Sequence, residues 1–110
     1  MFSYTLKKPL FELGDILVAP EIVALGVDAH SLLRRHQYGD FGCIESYDLN
    51  QNLHAIKTGA GILSQYSVTI GEERVLICIM TESDRSFTVV FILDKSERKS
   101  PEGPECSENP

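Results

Sequence analysis

Two hydrophobic periods divide the chain. In the first half apolar residues recur at helical spacing, and in the second they alternate or run together as strands do. Residues 13–20, with Ile16, Leu17 and Val18 closed by Pro20, read as a short buried or edge strand. Residues 21–25 make one helical turn before Gly26. Asp28 is placed to cap a helix that runs through Gln37 and stops at Gly39. Leu32, Leu33 and His36 share one face of it, with Arg34 and Arg35 turned away. The turn at 39–42 carries one aromatic anchor, Phe41. A longer helix begins near Ser46 or Asp48, with Leu49, Leu53, Ile56 and Ala60 as its apolar stripe. Lys57 complements the dipole of its last turn before Gly59 and Gly61 end it.

From Ile62 the period changes to two. Ile62, Tyr66, Val68 and Ile70 mark a half-buried strand, and residues 71–73 supply a hairpin connection. Residues 75–80 are apolar on both faces, as suits a central strand, and residues 87–93 form a third strand beyond the polar turn at 81–86. Connections this short hold no parallel crossover, so the three strands make an antiparallel meander whose buried face the helices must cover. The expected fold is α+β in two layers, a three- to four-stranded mainly antiparallel sheet packed with two or three helices. It occupies residues 11–93 after a lead-in at 1–10. Its expected core is Ile16, Val18, Leu32, Leu49, Leu53, Ile56, Tyr66, Val68, Leu76, Cys78, Val89 and Phe91. From 94 to 110 the composition turns to Lys, Glu, Ser, Pro and Gly with no apolar period, which predicts a disordered tail.

Composition acts mainly by exclusion. A chain of 110 residues, 43% apolar, supports one domain. Against 10 basic side chains stand 16 acidic ones, and the net charge of -6 disfavours nucleic acid as the main partner. The opening residues lack the apolar run of a signal peptide, and no apolar stretch approaches the ~20 residues that cross a bilayer. Cys43, Cys78 and Cys106 are odd in number and widely spaced, unlike a secreted disulfide framework, so a cytoplasmic location away from the membrane is expected.

The densest polar site is Glu82, Asp84, Arg85, Ser86 and Thr88. Turn chemistry is the commoner explanation of such a segment, with Asp and Ser accepting or donating local backbone bonds and Arg85 paired to a carboxylate. The functional reading is a binding site, with the planar fork of Arg85 holding an anionic group and Ser86 or Thr88 adding donors. His36 and His54 are the histidines placed for more than surface solvation, though His36 on an apolar helix face more often has a structural partner. His30 and His36 lie six residues apart, on different sides of a helix, and no metal-ligand spacing is present. No phosphate-binding loop, dinucleotide fingerprint, nucleophile elbow or zinc-protease motif occurs, and no cofactor is implied.

Three strings support a resemblance. These are His36-Gln37-Tyr38-Gly39-Asp40-Phe41-Gly42, Ile62-Leu63-Ser64-Gln65-Tyr66 and Thr81-Glu82-Ser83-Asp84-Arg85-Ser86-Phe87-Thr88, which with residues 14–20 span most of 11–93. In them the chain resembles short uncharacterised proteins of bacterial plasmids and integrating mobile elements, some labelled plasmid-related protein and others type I restriction subunit. Phe41 stands where that group usually has tryptophan. The resemblance implies a mobile-element setting and brings no established activity or catalytic residues. A restriction methyltransferase would need a glycine-rich cofactor motif and a far longer chain.

The leading expectation is therefore an accessory protein without a catalytic constellation, acting by binding a protein partner through the sheet or the 82–88 turn. The rival is a metal-independent ribonuclease-like toxin, because helices followed by an antiparallel meander resemble that arrangement. There His36 or His54, Glu82 and Arg85 would serve as base, acid and phosphate-holding cation. A third possibility is an antirestriction or other defence-modulating protein, although the charges alternate and form no long acidic face.

Overall fold

Seven elements follow one another in a computed structural model that describes residues 8–96: β1 Asp15–Val18, α1 Pro20–Leu25, α2 Ala29–Gln37, α3 Ser46–Thr58, β2 Ile62–Ile70, β3 Glu73–Thr81 and β4 Phe87–Ser96. Local chemistry sets several of the boundaries. Pro20 both ends β1 and opens α1, at the first helical position where its missing N–H costs nothing. The Asp28 carboxylate accepts from the Ser31 N–H at 3.2 Å and starts α2. Lys57 lies in the last turn of α3 and Asp48 in its first, both favourably placed on the helix dipole.

The fold is α+β, with three helices packed on a four-stranded mixed sheet in the order β1-β4-β3-β2. β2, β3 and β4 are the antiparallel meander, and β1 joins it in parallel against β4, from Asp15↔Phe87 to Val18↔Val90. Among the described residues no helix is long and apolar enough to cross a membrane. β4 continues past Leu93 and pairs with β3 as far as Arg74↔Ser96. The rest of the segment expected as a tail, 97–110, and the first seven residues of the expected lead-in lie outside the described residues.

Successive side chains on a strand point to opposite faces, and directly paired residues share a face. On one face Tyr66, Val75, Ile77, Ile79 and Val90 pack with Ile22 of α1 and Leu32 and Leu33 of α2. A second cluster joins Phe11, Phe41, Ala55 and Ile62. The expected core differs from this in three places. Leu76, Val89 and Phe91 sit on the opposite face of the sheet and are half-buried, because β3 and β4 are apolar on both sides and their pattern does not tell which side the helices take. Leu49 and Leu53 are 39% and 47% exposed, while α3 buries Asn52 and Ala55 instead. Ile16, near the sheet edge, is also exposed.

The rotation of α3 has a visible cause. Asn52 donates its amide N–H to the Leu63 carbonyl at 2.7 Å and accepts from the Leu63 N–H at 3.1 Å. One side chain thus satisfies the outward backbone pair of Leu63 on the outer edge of β2. Two residues on, the Gln65 N–H donates to the Phe41 carbonyl and the Gln65 carbonyl accepts from the Cys43 N–H. These two outward-facing pairs, at Leu63 and Gln65, are satisfied within the chain, which closes this half of the edge to strand addition.

Gly42 is where the 41–43 loop meets β2. It has φ 76°, and a Cβ there would overlap the Gln65 carbonyl oxygen and the Tyr66 ring. Gly26 has φ 77° with open space around it. Gly26→Ala should cost about 1–2 kcal/mol, the ordinary cost of a left-handed residue with a side chain. Gly42→Ala should cost distinctly more, because it adds displacement of a strand backbone. Equal losses in denaturant unfolding of the two variants would show that the loop is free to move off β2.

Candidate functional site

The three strings singled out in the sequence meet in space. His36 on α2, Ser64 on β2, and Thr81 and Thr88 on β3 and β4 form one continuous chain of hydrogen bonds, and all four are fully buried. His36 Nδ1 lies 2.5 Å from Ser64 Oγ and Nε2 2.8 Å from Thr81 Oγ1. Thr81 Oγ1 lies 2.8 Å from Thr88 Oγ1, whose hydroxyl donates to the Leu13 carbonyl at 2.8 Å.

That last bond orients the whole chain. A carbonyl only accepts and a hydroxyl has one hydrogen, so the Thr88 hydrogen belongs to Leu13. Thr81 must then donate to Thr88, and its own oxygen must accept from His36. The imidazole is therefore protonated at Nε2, and its Nδ1 accepts from the Ser64 hydroxyl. Burial, and after it the positive charge of Arg85, pushes the His36 pKa down from 6.5 to about 4, so the ring is neutral near pH 7. Phe11 presents an edge-on ring at a centroid distance of 5.1 Å, and Phe41 a second at 6.3 Å.

A serine donating to a histidine is also the geometry of an activated nucleophile. Here both groups lie under the helices with no exposed surface, so the arrangement as it stands fastens α2 to three strands and offers no substrate access.

Arg85 braces the neighbouring turn. It has φ 60°, and its guanidinium donates to the carbonyls of Ala60 at 2.6 Å, Glu82 at 3.1 Å, Ser83 at 3.2 Å and Ala55 at 3.2 Å. It thereby holds the C-terminal end of α3, where a cation complements the helix dipole, against the β3–β4 turn. Its Cζ lies 5.6 Å from the Phe11 ring centroid, so Phe11 neighbours both this cation and His36.

The other expected site residues divide. Thr88 is inside the buried chain and Arg85 is beside it, whereas Glu82 and Asp84 face solvent. Asp84 accepts from the Ser86 N–H at 3.0 Å and the Ser86 hydroxyl at 2.6 Å, which hold its carboxyl below the usual range. His54 is exposed on α3 and does not join His36. Ser64, Thr81 and Asn52 were not among the residues singled out. Their signal lay in parity: Ser64, Thr81 and Thr88 are polar residues at inward positions of apolar strands, and a buried hydroxyl requires a partner.

A second polar group lies at the surface above this one. Arg35 pairs with Asp40 at 2.7 Å and covers the Tyr66 ring at 4.7 Å, and the Tyr66 hydroxyl donates to the Asp40 carbonyl at 2.7 Å. The Arg35 bond holds the Asp40 carboxyl below its ordinary range, and burial pushes the Tyr66 phenol up. Among the described residues no three His, Cys, Asp or Glu side chains form a group that could hold a metal ion.

The lowered pKa of His36 makes stability depend on pH. In the unfolded chain His36 takes a proton below about pH 6.5, and in the folded one only below about pH 4. Folding is therefore favoured fully above pH 6.5, and up to roughly 3 kcal/mol is lost as pH falls through that window. His36→Phe should be less stable at pH 7, with Ser64 left without its acceptor, and should lose this part of the pH slope. Denaturant midpoints that fall equally steeply between pH 7 and 4 in both proteins would contradict the assignment.

No protein-family model, curated protein or solved structure matches this chain.

Proposed function

We propose that this chain acts by binding a protein partner through the face of its sheet on which, among the described residues, no helix packs. The observation behind this is a row of four apolar side chains running across every strand: Leu17 of β1, Val89 of β4, Met80 of β3 and Leu63 of β2, joined by direct register. Leu17 is 51% and Met80 39% exposed, and none of the four belongs to either apolar cluster. Phe91 and Leu76 extend the same face around Cys78, itself only 3% exposed, and on β2 the face continues as Gln65, Ser67 and Thr69. An antiparallel sheet with a solvated face ordinarily turns polar residues outward, as β2 does beyond Leu63, so the apolar row that crosses all four strands marks an interaction surface.

The 82–88 turn has less to offer a partner. Arg85 already donates to four carbonyls, and Asp84 and Ser86 are joined to each other. On the resemblance drawn from the sequence, the setting would be a bacterial mobile element and the role that of an accessory protein.

Site-specific photo-crosslinking tests the surface. A photoreactive residue at Met80 or Val89 should give a discrete protein adduct in cells. One at Tyr47, which is 71% exposed on α3, should not. Adducts absent from the sheet face, or equal at all three positions, would remove the proposal.

A further inference from the structure

The charges around this face point to the identity of its partner. β3 crosses the centre of the face with Arg74, Leu76, Cys78 and Met80 pointing outward in turn. Beyond Thr81 the ladder continues one step, because the Glu82 N–H donates to the Phe87 carbonyl. Phe87 pairs with Asp15. The face therefore ends in an exposed cation, Arg74, at one end and in two exposed carboxylates, Glu82 and Asp15, at the other. Cys78 lies midway between Arg74 and Glu82, four residues from each.

Such a face is complementary to itself. We infer that the partner is a second copy of this chain, stacked sheet to sheet about a two-fold axis that lies across the strands at the level of Cys78. The inference rests on the sheet-face reading above and names its occupant. That axis reverses strand direction between the copies. It brings Arg74 of each copy over the Glu82 end of the other and Leu76 towards Met80. An axis along the strands would place like charges together. A two-fold contact is also the commonest way for a soluble chain to cover a surface patch, since one patch serves both sides. Aligned sheets pack about 10 Å apart with side chains interleaved, and the Leu, Met, Val and Phe of this face are of the size that fills such a layer.

The extent of the face sets the strength of the contact. Four strands at roughly 4.8 Å and five outward rows about 6.7 Å apart give a flat footprint on the order of 500 Å² per copy. A standard interface buries about 800 Å² per partner. The dimer is therefore a modest one, whose population rises with concentration.

Two measurements on the full chain decide the matter: mass by light scattering across a concentration series, and hydroxyl-radical footprinting of Leu17, Met80 and Phe91 over the same series. The expected result is a mass that moves from one chain to two, with protection of the three residues rising in step. Arg74→Glu should weaken association about tenfold, and adding Glu82→Arg should restore most of it. Met80→Lys, at an exposed position, should give a folded monomer. A monomer whose three residues react freely at every concentration would overturn the second copy and leave the face to a different protein. A monomer with the three residues protected throughout would overturn the face as a binding surface. A dimer indifferent to all three variants would overturn the proposed geometry.

Discussion

A neutral imidazole sealed between a helix and a sheet needs an acceptor for one nitrogen and a donor for the other. His36 obtains them from Thr81 and Ser64, which lie on adjacent strands. A hydrogen bond between neutral groups contributes about 1 kcal/mol net, while each buried group left without a partner costs about 1–3 kcal/mol. The arrangement is therefore close to all-or-none. It fixes α2 over β2 and β3, and through Thr88 it reaches the loop at Leu13 that leads into β1. A network with every member satisfied specifies one packing of helices on sheet, where apolar contacts alone would tolerate several.

Around this network the two layers are held at their margins by side chains bonded to backbone. Asn52 bonds Leu63 on the edge of β2, Gln37 donates to the Phe11 carbonyl, and Arg85 gathers carbonyls from α3 and the β3–β4 turn. These contacts all lie on the helical side. The opposite face of the sheet takes no part in them, and its apolar row stands apart from both core clusters. The molecule thus combines one tightly specified face with one of simple apolar and charge pattern. The second carries the apolar row proposed above as a contact surface, and Cys78 beneath it is only 3% exposed, its thiol pKa pushed up to about 11 by burial.

Much of the architecture was legible in the sequence. The Asp28 cap, the change of period at Ile62 and the short hairpin connections led to α2, α3 and the meander. The inward side of β3 and β4 was not legible, because Val75, Ile77 and Ile79 alternate with Leu76, Cys78 and Met80 and both sets are apolar. The stripe of α3 was misread for a different reason. Periodicity favoured Leu49 and Leu53, and the helix turned instead to seat Asn52 on the edge of β2. Arg85 was recognisable as a special residue, but its four acceptors are carbonyls from three places in the chain, and no sequence pattern announces them. His36 was expected to have a structural partner, and its partners are the hydroxyls of residues 28 and 45 positions away.

Everything in this account that concerns the specified face depends on the direction of one hydrogen-bond chain. Nitrogen-15 NMR of the His36 ring reads it directly. The account requires a neutral ring with the proton on Nε2, unchanged in signal from pH 8 down to about pH 5 and titrating near pH 4. A proton on Nδ1, or a titration near the ordinary value of about 6.5, would mean that the chain from Ser64 to Leu13 does not run as described.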